Sequence, residues 1–394
     1  MKAKHWIVFG ICATVALACA TCAPVEQPAD TAREGAGPSQ VGNRDTFPPN
    51  TDGVKLRIEA AIDQVKHRDL LTTNGFWTVF HGILGLGPEV TLLDPLTGQR
   101  VKALDYICAG KELRGLQFLV TPDGLDVRTG PQFVGQGHQD QFVAEMVQWG
   151  VPLDRKFIVQ GKDYTFADFV RHTRARTRVT QNQELSWAVL VIGQHYGTDA
   201  AWTNAFGESV RLEDLVRYEL DAPMDDSGGP RGLPPLACGG THRLFGLSWV
   251  YHLHLAKGGR TEGIWQDVAN RTEQYKRMAR RWQNPDGAFS TNYFRGPGNA
   301  PDSQQRLNTT GHILEWLALA LSDLELQEPW MQNAANALAL MFLDHQNEAL
   351  DGGSLYHAIH GLLLYYARVY DANKLGPYQP VAPLLPGSKP IRKP

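Results

Sequence analysis

The stretch NTTGHILEWLALALSD, residues 308–323, decides how this chain is read. From Leu314 onward it is almost wholly apolar, yet it carries His312 and Glu315. Those two are three residues apart and share one face of a helix. So apolar a run is too rich for a surface helix. The spacing therefore predicts a buried helix that opens near Gly311, with two titratable groups at its mouth. Five other segments read alike: GFWTVFHGILGLG (75–87), GHQDQFVAEMVQWG (137–150), NQELSWAVLVIGQHYG (182–197), GGTHRLFGLSWVYHLHLAKGG (239–259) and GSLYHAIHGLLLYYARVY (353–370). Between them lie stretches with apolar residues at helical spacing and charge on the other face: 54–69, 165–179, 209–221, 263–283 and 328–346. Apolar helices inside and amphipathic helices outside predict an all-α fold, an α/α toroid of about six inner/outer helix pairs. The pattern breaks at 88–136, which reads as a small irregular or β-containing insertion.

In that architecture the inner helices run the same way, and the groups at their starts meet in one funnel. These are His138, Asp140, Gln141, Glu184, Ser186, His242, His312, Glu315, His357 and His360. Histidines beside carboxylates suit general acid–base work near neutral pH. The expected catalytic set is His312, Glu315, His138, Asp140, Glu184, His242 and His357. Cys238 and His242, four apart around two glycines, raise a zinc site that His357 or His360 would complete. The bland alternative is that these groups staple helix ends together by hydrogen bonds. His252 and His254 lie deeper in their segment and read as structural, whereas His67, His172 and His345 fall on outer helices and are expected in solvent.

Composition excludes some classes. The 394 residues carry a formal net charge of −3 with no basic stripe, so no nucleic-acid partner is expected. Residues 1–23 read as a signal peptide: Lys2 and Lys4, an apolar run, then small residues. Cleavage after Ala20 would release the chain. The ALAC stretch, read as a lipobox, would instead leave Cys19 lipidated and membrane-attached. Either way the protein is expected in the periplasm or at the outer membrane, with no transmembrane domain in the mature chain. Residues 24–53 read as a disordered linker, 54–372 as the toroid and 373–394 as a Pro-rich tail. Only Cys108 and Cys238 remain in the body, so there is no disulfide framework.

Two loops carry a resemblance. QNPDGAFSTNYF (283–294) and QNEALDGGSLYH (346–357) resemble the Gln-x-x-Asp-Gly-aromatic loops of the terpenoid cyclase and protein prenyltransferase toroids. Phe289 and Leu355 stand where those loops often have Trp. The resemblance implies the toroid, with Asp and Gln tying helix ends. It does not extend to chemistry, because the acidic cyclase motif and the prenyltransferase zinc set are missing from the sequence. TTGHILEWLALAL also resembles the Gly-His-x-x-Glu-Trp helix of N-acylglucosamine 2-epimerase-type barrels, which implies a histidine working at a sugar. Over most of 130–365 the chain resembles a group of exported bacterial proteins sharing GHQDQF, ELSWAV, ACGGTHRLFGL, NPDGAFST and TTGHILEWL. GTPase activation on ADP-ribosylation factors, a label attached to some of them, needs a four-cysteine zinc finger that two body cysteines do not supply. Three functions remain: an acid–base enzyme on a carbohydrate or other polar envelope substrate, a zinc-dependent toroid enzyme, or a non-catalytic binding or scaffold protein.

Overall fold

The structure, a computed structural model, describes residues 51–130, 135–180, 184–222, 237–389 and 391. The expected signal peptide and nearly all of the expected linker lie outside the described residues. In chain order come α1 (Thr51–Lys66), β1 (Leu70–Leu71), α2 (Phe76–Leu86), β2 (Thr91–Leu93), β3 (Arg100–Lys102), α3 (Ala103–Cys108), β4 (Phe118–Thr121), β5 (Gly124–Val127) and α4 (Gln141–Val147). β6 (Lys156–Val159), β7 (Lys162–Thr165), α5 (Phe166–Arg176), α6 (Ser186–Tyr196), β8 (Ala201–Thr203), β9 (Ser209–Arg211) and α7 (Leu212–Asp221) follow. The last part holds α8 (Thr241–Ala256), α9 (Ile264–Arg281), α10 (Ser303–Ala320), α11 (Asp323–Leu326), α12 (Pro329–Asp344) and α13 (Gly352–Val369). Helices dominate, as the periodicity predicts. None among the described residues is long and apolar enough to cross a membrane.

The apolar helices pack on one another in sequence: α2 on α4, α4 on α6, α6 on α8, α8 on α10, α10 on α13, and α13 back on α2. The amphipathic ones lie against that circuit, with α3 on α2, α5 and α7 on α6, α9 on α8 and α10, and α12 and α1 on α13. Glycine sets the closest approach. A Cβ on Gly311 of α10 would sit 2.7 Å from the Ala358 Cα of α13, and one on Gly361 would sit 2.9 Å from the Glu315 backbone nitrogen. Each Leu, Ile or Phe buried along these seams stabilises by roughly 1.5–3 kcal/mol.

Strands appear beyond the 88–136 region. The hairpins β6–β7 and β8–β9 bridge α4 to α5 and α6 to α7, as β2–β3 bridges α2 to α3. In β6 the burial alternates, with Phe157 and Val159 inward. Its turn, Gln160-Gly161, has φ of 52° and 74°, the left-handed pair that a two-residue hairpin demands.

Helix α10 also departs from expectation. It begins at Ser303, where the Asp302 side chain accepts from the Gln305 backbone N–H at 2.6 Å. His312 and Glu315 therefore sit in its interior turns and not at its mouth.

The Pro-rich segment after α13 crosses the C-terminal ends of the circuit. Val381 N–H donates to the Gln148 carbonyl at 2.9 Å. The Pro383 carbonyl meets His252 Nδ1 at 2.9 Å, and Lys389 N–H donates to Asp323 Oδ2 at 2.7 Å. This covers the end of the circuit opposite to His242 at the start of α8.

Candidate functional site

The start of α8 is built from unusual backbone. Cys238, Gly239 and Gly240 all have positive φ, at 52°, 61° and 86°. A Cβ on Gly239 would lie 2.2 Å from the Tyr293 ring. Thr241 Oγ1 donates back to the Cys238 carbonyl at 2.8 Å and closes the turn. Among the described residues four non-glycine residues have positive φ, and Cys238, Asp140 and Tyr293 are three of them. Such strain persists where surrounding structure imposes it, often at functional sites.

Two loop residues meet beside this turn. Glu184 Oε2 accepts from His138 Nδ1 at 2.7 Å, while Glu184 Oε1 stands 3.8 Å from His242 Nδ1, beyond hydrogen-bond reach. The pair is the more open part of the cluster, with side chains 18% and 23% exposed. Burial opposes ionisation of Glu184, but the charge and hydrogen bond of His138 outweigh it and hold the carboxyl far below the usual range. Burial likewise lowers His138, yet Glu184 wins and raises it above an ordinary histidine.

Behind this pair lie imidazoles with one ring edge tied. His312 Nδ1 donates to the Asn308 carbonyl at 2.8 Å, and His81 Nδ1 to the Trp77 carbonyl at 2.7 Å. Glu315 takes two histidines, His357 Nδ1 at 2.8 Å on Oε2 and His360 Nδ1 at 2.6 Å on Oε1. The opposite edges are bare. Nε2 of His312, His357 and His360, and both nitrogens of His242, are buried without a hydrogen-bond partner among the described residues. The rings are close: His312 to His357 4.2 Å between centroids, His242 to His357 5.3 Å, His242 to His312 5.4 Å, His81 to His357 5.3 Å. Burial holds His81, His312 and His357 well below the ordinary histidine value, and neighbouring imidazoles push the same way. Burial also lowers His242, against the pull of Glu184. Burial thus favours the neutral form of these rings, which leaves lone pairs on His242, His312 and His357 turned inward, while that of His81 faces the Gln141 amide at 3.0 Å.

Among the described residues three groups bring donor atoms within 4.8 Å of one another: Cys238, His242 and His312; His138, Glu184 and His242; and His81, Glu145 and His357. His357, expected beside Cys238 and His242, belongs to the last group, and His312 takes its place. Both body thiols are free, and burial pushes that of Cys238 up, helped by Glu184.

Other expected site residues serve the frame. Asp140 pairs with Arg176 and accepts from Thr173 Oγ1 at 2.8 Å, so its carboxylate is engaged. Ser186 Oγ donates to Glu219 at 3.1 Å, and Gln283 Nε2 donates to the Gly287 and Trp330 carbonyls, the helix tie that its loop implies. His172 is buried and not in solvent, because β4–β5 covers α5 and sets Thr121 Oγ1 3.0 Å from its Nδ1. The sequence reading missed His81 and Glu145. A lone carboxylate inside the apolar run FVAEMV was the available signal. Comparison of the chain with family models, curated proteins and solved structures finds no match.

Proposed function

We propose that this chain is an exported α/α-toroid enzyme with a metal-dependent centre on Cys238, His242 and His312. The closed circuit of apolar helices with amphipathic helices outside supports the toroid. One observation carries the centre: His312, tied at Nδ1 to the Asn308 carbonyl, turns a bare buried Nε2 towards the Cys238–His242 turn, and both nitrogens of His242 are buried without a partner among the described residues. One thiol and two imidazoles suit zinc, and three protein ligands leave a position open for water or substrate. Such an ion supplies Lewis acidity and a nucleophile near neutral pH. His138 and Glu184, next to His242 and partly open, form the proton-transfer pair, with Glu184 fixing the His138 ring. With the tail across the opposite end, substrate enters past His138, and the charged pair there favours a polar molecule. The test is the zinc content of the chain made without chelating tags, beside Cys238→Ala and His312→Ala. The expected result is that both variants lose or sharply weaken the zinc held at this centre, with unchanged helicity. Wild-type chain that takes up no zinc overturns the proposal.

A second reading rests on the same open pair. The His138–Glu184 dyad, 2.7 Å across, is itself an acid–base couple, and without metal it would act on a carbohydrate or similar substrate. Activity that survives chelation and Cys238→Ala but is lost in Glu184→Gln would select it. Export through 1–23, with or without a lipid on Cys19, belongs to both readings, and mass spectrometry of the mature N-terminus tests it.

A further inference from the structure

Helix α4 contributes a carboxylate that neither reading uses. Glu145 is fully buried, and Gln141 Nε2 donates to its Oε1 at 2.9 Å. Its Oε2 has no partner among the described residues. Across from it His81 Nε2 stands 3.6 Å from Glu145 Oε1 and 3.0 Å from the same Gln141 amide. His357 presents its bare Nε2, its Nδ1 being held by Glu315. Three elements, α2, α4 and α13, thus converge two imidazoles and a carboxylate, all fully or nearly fully buried. Burial leaves the Glu145 carboxyl well above its usual range, and nearby Glu315 adds to this. A protein that only needed to fill this space would place an apolar side chain here.

We infer that His81, Glu145 and His357 form a second divalent transition-metal site, making the centre dinuclear. Two imidazoles and one carboxylate are a donor set for zinc, manganese or ferrous iron. The second shell is present: the Trp77 carbonyl on His81 Nδ1 and Glu315 on His357 Nδ1. Gln141 bridges His81 and Glu145, and a cation displaces its hydrogen bond to His81 as Glu145 loses its proton. The ring contact of 4.2 Å between His357 and His312 makes the two sites neighbours. This inference rests on the same cluster as the proposed function but on different ligands, so the two can fail separately.

The test is zinc stoichiometry of the metal-stripped full chain after reloading, measured for wild type, Glu145→Gln, His81→Ala and Cys238→Ala. Glu145→Gln keeps the shape and the Gln141 contact, so it folds even if His81→Ala does not. Two zinc ions per wild-type chain, falling to one in each variant, is the expected result. Cobalt loading separates the sites: the thiolate-to-cobalt charge-transfer band persists in Glu145→Gln and vanishes in Cys238→Ala. One ion per wild-type chain, lost in Cys238→Ala but kept in Glu145→Gln, overturns this inference and leaves the proposed function standing. One ion lost in Glu145→Gln but kept in Cys238→Ala overturns the proposed centre and supports this site as the only one. No ion in any form overturns both.

Discussion

Replacing His252 by Gln isolates one proton of the acid sensitivity built into this fold. His252 is buried in α8 with Nδ1 on the Pro383 carbonyl at 2.9 Å. Burial lowers it from 6.5 to about 4; the Pro383 carbonyl pulls the other way, and the charge of Arg368 adds a smaller push down. Below pH 6.5 the unfolded chain binds this proton and the folded chain does not, so stability falls as pH drops towards the folded value. Each pH unit in that window removes roughly 1.4 kcal/mol, about 3 kcal/mol over the whole of it. Glutamine reaches the same carbonyl with its amide and does not titrate. His252→Gln should cost about 1 kcal/mol or less near pH 7.5. Its stability should then fall less steeply towards acid than that of wild type, and the curves should converge or cross. Urea midpoints for both proteins between pH 7.5 and 4.5, with chelator, give the slopes. The other buried histidines contribute equally to both, so the difference belongs to His252. Parallel curves would refute the reasoning, because they would mean that folding shifts no proton at this ring.

Glu219→Ala should destabilise by about 3–5 kcal/mol, since it takes away the carboxylate that pairs with the buried Arg243 guanidinium, whose Nε lies 2.6 Å from Glu219 Oε2. It also frees the Leu185 N–H and Ser186 hydroxyl at the start of α6, and a urea midpoint within error of wild type would count against this staple. Gly311→Ala should cost about 1–3 kcal/mol by forcing α10 from α13. Bound zinc should weaken with it, because Glu315 and His312 move relative to His357, and metal titration of the variant checks this.

The alternation of apolar and amphipathic segments was legible because a helix buried on all sides and one buried on a stripe differ in period and richness. LSWAVLVIG and YKRMARRWQ cannot be exchanged. The hairpins outside 88–136, β6–β7 and β8–β9, were not legible. A three-residue strand such as β8 carries a single inward side chain, Trp202, and offers no period to read, and a four-residue strand such as β6 carries only two. The start of α10 was hidden for a related reason. SQQRLN is polar because its first turns project beyond the packed circuit, although Asp302 three residues before Gln305 marks a cap. Most of the site histidines stood out because they fall within the first few residues of their apolar segments, close after glycine. His81 and Glu145 sit in apolar runs, where sequence alone does not separate a buried charge from the core around it.

Two accounts of the histidine cluster compete, helix staples and the metal centre proposed above, and its asymmetry favours the second. If the rings were staples, both nitrogens would find partners, since an unpaired buried polar atom costs roughly 1–3 kcal/mol. Nδ1 of His81, His312, His357 and His360 is satisfied in every case, by an i−4 carbonyl or by Glu315. Nε2 of the last three is not, and neither is either nitrogen of His242 or the Glu145 Oε2. Leucine or phenylalanine at these positions would fill the same space without them. A ring tied on one edge and bare on the other is preorganised for a group that supplies the missing contact. In a site this buried, with neutral imidazoles facing carboxylates and a thiol, a cation meets that requirement better than water, because it satisfies several lone pairs at once.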